Sequence, residues 1–129
     1  MRVLPALCLL LAGCDLLPFG GGGEDTGACA RQPPLTWDNF GEGLITNHCL
    51  GCHSSLMPAD MREGAPVGVD FDTYEAVIQW RERIDVRSVP DDGGMPPGGG
   101  PSEEERAMLG EWLACEVAED AAKLEGGEE

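Results

Sequence analysis

The chain has 129 residues, a length that fits one domain, and a net charge of −16 from 24 acidic and 8 basic side chains. That balance argues against nucleic acid, whose partners carry a basic footprint. Hydrophobic residues make up 42% of the chain but aromatics only 5%, while 19 glycines and 10 prolines imply long loops around a thin protein core. Such a core leaves room for a bulky apolar group.

The N-terminus sets the expected compartment. Arg2 precedes the apolar run Val3 to Leu11, which is too short to cross a bilayer as a helix but suits the apolar region of a signal peptide. The run ends in Leu11-Ala12-Gly13-Cys14. This resembles the bacterial lipobox, whose cysteine is acylated and becomes the first mature residue; the alternative is an ordinary signal peptide with a cysteine nearby. On the lipobox reading, residues 1–13 are the signal peptide and Cys14 carries the lipid. The mature chain is then held on the periplasmic side of the cell envelope, at the inner or outer membrane. Asp15 resembles an inner-membrane retention signal. Residues 14–35, with Gly20 to Gly23 at their centre, show no periodicity and read as a flexible tether.

Helical order begins at Thr36, a cap residue, with Asp38 in the first turn and Trp37, Phe40, Leu44 and Ile45 along one face. Gly41 and Gly43 weaken that helix unless something packs closely on it. A second helix starts at Asp72-Thr73-Tyr74-Glu75 and turns Tyr74, Val77, Ile78 and Ile84 inward. A third starts at the capping box Ser102 to Glu105 and carries Met108, Leu109, Trp112, Leu113 and Val117 at helical spacing. No strand pattern and no internal repeat is present. The expected domain is therefore all-α over 36–117, followed by a solvated, disordered acidic tail at 118–129.

The six cysteines divide by position. Cys8 leaves with the signal peptide, Cys14 takes the lipid, and Cys29 and Cys115 remain as a pair that an oxidising compartment would join. Cys49 and Cys52 belong to Cys49-Leu50-Gly51-Cys52-His53. Three chemistries use pieces of that pattern: covalent haem attachment, a zinc site and a dithiol redox switch. A closed zinc site needs four ligands, and only the adjacent His48 could complete this one. A thioredoxin-like dithiol needs a βαβ context that the pattern lacks. Haem attachment needs two thiols for the vinyl groups and a histidine for the iron, and all three are present.

A haem iron takes a sixth ligand or stays open for chemistry. Met57 and Met61 stand four and eight residues past His53, too near to cross to the opposite face. Met108 lies in the helical core stripe, and Met1 leaves with the signal peptide. Met95, in Asp91-Asp92-Gly93-Gly94-Met95-Pro96-Pro97-Gly98, lies 42 residues past His53 in a loop that glycine bends and proline stiffens. That loop is suited to presenting a thioether. His48 reads as a solvated polar residue.

Taken together, residues from about Thr36 to Cys115 resemble the class I c-type cytochromes, and among them the small bacterial monohaem lipoproteins. The resemblance rests on Cys49-x-x-Cys52-His53, on Met95-Pro96-Pro97, and on Gly41 facing Leu109 and Trp112, where the family crosses its first and last helices. Ile45 stands where the family often has an aromatic, and Phe40 compensates. The resemblance implies an all-α fold of about three main helices around one covalent haem c, with His53 and Met95 as axial ligands. It also implies a proline carbonyl on the second nitrogen of His53, from Pro66 or Pro58, and contacts from Arg87 or Trp80 to the haem propionates. The implied function is outer-sphere electron transfer with envelope redox partners, not enzymatic turnover, alone or as a subunit of a redox complex. The acidic run Glu103 to Glu105 serves the helix N-terminus, or else docks a basic partner. Two other readings stay open. One is a peroxidase-like or gas-binding haem protein in which Met95 is displaced; the other is a non-haem metal-binding lipoprotein.

Overall fold

A computed structural model describes Gly27 and residues 29–127. The expected signal peptide at residues 1–13, the expected lipidation site Cys14, and residues 15–26, 28, 128 and 129 lie outside the described residues. The described chain is all-α, with no strand among those residues. None of its helices is long and apolar enough to cross a membrane.

Thr36 caps the first helical segment as its composition predicts: its hydroxyl accepts from Asn39 N–H, and the Asn39 side chain accepts from Thr36 N–H. A π-helical turn, Trp37–Gly41, leads into α1, Glu42–His48. Thr73 caps α2, Tyr74–Ser88. Ser102 and Glu105 form a reciprocal capping box at the start of α3, Glu103–Trp112. The helical run then continues through a π-helical stretch, Leu113–Val117, into α4, Ala118–Gly126.

These segments meet where the π-helical turn ending at Gly41 lies against Trp112 of α3. A Cβ built on Gly41 would lie 2.6 Å from Cη2 of Trp112 and closer still to Cζ2, so the missing side chain is what lets the indole lie against the backbone. Trp112 is fully buried, with Phe40 edge-on to it at 6.1 Å between ring centroids. Trp37 and Tyr74 complete the cluster, 5.4 Å apart. Such tilted and edge-on arrangements satisfy the aromatic quadrupoles while burying large apolar area. The Glu116 carboxylate accepts from both the Trp112 indole N–H and the Trp37 backbone N–H, each at 2.7 Å, so neither donor is left unpaired. Ile45, Val77, Ile84, Leu109, Leu113 and Val117 fill in around it.

Three expectations need correction. The acidic segment after Val117 does not fray: Ala121 is buried, the Tyr74 hydroxyl donates to Asp120 at 2.9 Å, and Arg81 reaches Glu125 at 3.1 Å. Charge repulsion in that stretch is offset by docking on α2. Nor is the whole of 14–35 a free tether. Cys29 is joined to Cys115 by a disulfide, Arg31 makes a two-pronged pair with Glu111, and the Pro34 carbonyl accepts from Asn39. The chain is therefore fastened to the domain from Cys29 onward. Met108 takes no place in the buried cluster; the face toward α1 is filled by Leu109 and Trp112 instead.

Candidate functional site

Opposite the aromatic cluster, a cavity of about 620 Å³ opens between the end of α1, one face of α2 and two loops. Its walls carry Cys49, Cys52 and His53 from the first loop and Met95, Pro96 and Pro97 from the second. The volume falls within the range of small-molecule and cofactor pockets. Val69, Phe71, Trp80 and Ile84 make much of the lining apolar.

Cys49 is the C-cap of α1, its N–H donating to the Ile45 carbonyl at 2.9 Å. The Cys49 carbonyl then accepts from Cys52 and His53, at 3.1 and 2.9 Å, which folds the motif into one tight turn. Both thiols are free. Burial pushes the Cys49 thiol up to about 12. Among the described residues, no group of three or more His, Cys, Asp and Glu side chains gathers in a metal-holding arrangement.

His53 is fixed twice. Its ring stacks on Phe71 with centroids 4.6 Å apart, and its carbonyl accepts from Phe71 N–H at 2.8 Å. Nδ1 lies 2.8 Å from the Val69 carbonyl. A carbonyl only accepts, so Nδ1 is the donor, and in the neutral ring Nε2 is the nitrogen that carries the lone pair. This partner corrects the expected Pro66. The Pro66 carbonyl instead accepts from Arg62 at 2.9 Å and from Val69 N–H at 3.2 Å; that turn carries the Val69 carbonyl to the imidazole. Pro58 opens a short 3₁₀ turn, Ala59–Met61, and is not part of the cavity wall.

The Met95 loop is clamped to the end of α2. Met95 N–H donates to the Arg87 carbonyl at 3.0 Å. A Cβ on Gly93 would lie 2.5 Å from that same carbonyl oxygen, so only glycine permits the approach. The Arg106 guanidinium, from α3, donates to the Ser88 and Met95 carbonyls and ties the loop to the last helical run. Met95 is half-buried on the cavity wall, whereas Met57, Met61 and Met108 do not line it.

Trp80 and Arg87 both line the cavity. Arg83 and Ile84 join them, and the spacing 80, 83, 84, 87 puts all four on one face of α2. Neither Arg83 nor Arg87 has an ion-pair partner among the described residues. Arg83 escaped the sequence reading, although the helical period contained the signal. His48 also lines the cavity and is not simply solvated: its Nε2 lies 3.8 Å from a Glu105 carboxylate oxygen. That carboxyl is held below its ordinary range, first by its bond from Ser102 N–H in the capping box.

Beneath the first loop, Asp72 accepts from the Ser54 hydroxyl and from Ser55 N–H, bonds that hold its carboxyl below the usual range. Arg62 is 1% exposed and lines the cavity as well. A lone arginine in a polar loop gives no sequence signal for burial, and neither does a valine carbonyl for its partner. Comparison with protein-family models, with curated proteins and with solved structures finds no match to this chain.

Proposed function

We propose that this chain is a monohaem c-type cytochrome of the class I architecture that works as an electron carrier. On this reading Cys49 and Cys52 hold haem c covalently, His53 and Met95 supply the axial ligands, and lipidated Cys14 anchors the protein on the periplasmic side of a bacterial membrane. One observation carries the proposal: a single cavity of about 620 Å³ brings together the two free thiols, the imidazole and the thioether, across 42 residues of chain between His53 and Met95.

The residues present fit that group. Two thiols lie within one turn of an imidazole whose Nδ1 is already committed to a carbonyl, leaving Nε2 for a metal. The cavity wall is apolar beside them, and Arg83 and Arg87 offer unpaired cations for carboxylates. The close approach of Gly41 to Trp112 supports the helix crossing that the resemblance implies. When bound, haem c supplies a one-electron iron couple.

The chain does the rest. The Val69 carbonyl orients His53 and fixes its tautomer. The Arg87 carbonyl and Arg106 hold the Met95 backbone at the cavity wall, which would limit how far the thioether must move to reach the iron. A thioether opposite an imidazole favours the reduced state and raises the potential. With an imidazole and a thioether both offered to the iron, the site would suit electron transfer to and from redox partner proteins rather than substrate binding.

The deciding measurement is spectroscopic. Protein matured with the haem-attachment machinery should keep one haem after denaturation and acid washing. Its oxidised form should show a weak band near the red end of the visible spectrum, lost in Met95→Ala. A colourless product overturns the proposal. A wild type that takes up carbon monoxide as readily as Met95→Ala transfers the protein to the ligand-binding or peroxidatic class.

A further inference from the structure

Arg62 stands out once the cavity is drawn. Burying a guanidinium is costly unless every donor is engaged, and here the arrangement is thorough. Nη1 donates to the Ser54 carbonyl at 2.6 Å and Nε to the Ala65 carbonyl at 3.2 Å. Nη2 serves the Pro66 carbonyl at 2.9 Å, the Val69 carbonyl at 3.2 Å and the Asp70 carboxylate at 2.6 Å. Regular structure between residues 54 and 72 is limited to one 3₁₀ turn, so these carbonyls lack partners in a ladder and the arginine supplies them.

One of those carbonyls matters beyond the loop. The Val69 oxygen accepts from Arg62 and from His53 Nδ1 at once. A cation sharing an acceptor draws electron density from it, and the second donor is then held less strongly. We infer that Arg62 is a positioning residue that sets the reduction potential of the site, by sharing the Val69 carbonyl with His53 and so limiting the imidazolate character of that ring. The inference rests on the haem reading proposed above. A histidine whose Nδ1 proton is held strongly is a richer donor and favours ferric iron; one whose carbonyl is shared favours ferrous iron. The cation itself acts in the same direction, because positive charge near the site disfavours the oxidised state. Asp70 opposes it by partly neutralising that charge.

This arrangement predicts opposite signs for two neighbouring substitutions. In haem-loaded protein, Arg62→Met should shift the one-electron equilibrium toward the ferric state by about tenfold, a fall of about 59 mV in midpoint potential. Asp70→Asn should raise the potential, by about threefold in the same equilibrium, because the guanidinium loses its counter-charge. Arg62→Met/Asp70→Asn should fall by less than Arg62→Met alone, the remainder being the carbonyl's share. In the ferrous, diamagnetic protein the His53 Nδ1 proton should move downfield in Arg62→Met, as its bond to Val69 strengthens.

Asp70→Asn removes no partner of the cavity carbonyls and serves as the test should Arg62→Met not accumulate. Potentials that shift in the same direction in both variants, or a Nδ1 proton that stays in place, overturn the inference and leave Arg62 a loop clamp. Wild-type protein that matures without covalent haem overturns the proposed function first, and is recognised before any variant is measured.

Discussion

Around Trp112, order comes from apolar side chains of successive helical segments meeting at a glycine; around His53, it comes from one guanidinium, two carboxylates and a handful of backbone carbonyls. The first region is built on 3.6-residue periodicity and dense packing, with Trp112, Val77 and Val117 fully buried. The second has little regular structure, and Arg62, Asp72 and the Arg87 carbonyl replace the missing ladder. Dense packing supplies the stability, and the polar loops hold chemistry-bearing side chains where helices could not aim them.

The sharpest way to break the comparison is Trp112→Ala. It empties the helix crossing and should cost about 4 kcal/mol in urea denaturation. A loss below 1 kcal/mol would mean that the crossing is not what holds the helical region. Next in size is removal of the Cys29–Cys115 bridge, which spans 86 residues. Cys29→Ser/Cys115→Ser should cost about 3 kcal/mol by the same measurement and, on the proposed haem reading, leave the visible spectrum unchanged because the bridge lies outside the cavity wall. A changed spectrum would link the two regions more closely than their contacts suggest.

Gly41→Ala should cost about 2 kcal/mol through overpacking against the indole. Combined with Trp112→Phe, it should cost less than the two single changes summed, because the smaller ring yields the space. Strict additivity would place the strain elsewhere.

A pH series separates the regions further. Asp72 in the loop region and Glu105, Glu111 and Asp120 in the helical region all have folded pKa values below their ordinary ones. A depressed carboxylate contributes stability that is fully present above its unfolded pKa, 3.8 for Asp and 4.5 for Glu, and lost as pH falls through the folded value. Thermal midpoints should therefore be flat at neutral pH and fall below about pH 4. Asp72→Asn should reduce that acid loss while lowering the neutral midpoint slightly; an unchanged acid limb would remove Asp72 from the loop's support. The smallest effect on stability belongs to Met95→Leu, less than about 1.5 kcal/mol as a volume-conserving change. It should nevertheless abolish the red-end band, since leucine has no thioether.

Part of the site could be read directly. Cys49, Cys52, His53 and Met95 were recognisable because each carries a reactive atom in a motif or a loop of telling composition. Thr36, Thr73 and Ser102 announced the helix starts through local cap chemistry that depends only on the next three residues. The carbonyl partner of His53 was misread as Pro66, because a backbone oxygen carries no residue-type signal and its direction depends on how the 66–69 turn closes. Arg62 looked like any surface arginine, since burial of a charge is decided by acceptors arriving from Ser54, Ala65, Pro66 and Asp70 together.

By itself, then, the sequence determined what is short-range: the helical periods, the caps, the all-α class, and the Cys49–His53 motif, each set by residues within a few positions of one another. The glycines on an apolar helical face asked for a close neighbour, and the family resemblance, not the local pattern, named Trp112 as that neighbour of Gly41. The tertiary structure alone decided that the acidic tail becomes α4, since Ala121 and Asp120 gain their partners only from α2. It alone decided where the tether ends, through Cys29 and Arg31 on the last helical run. And it alone put Arg62 beside the Val69 carbonyl that partners His53, because that contact needs a loop to close on itself, a condition set by many weak bonds at once and written in no single residue.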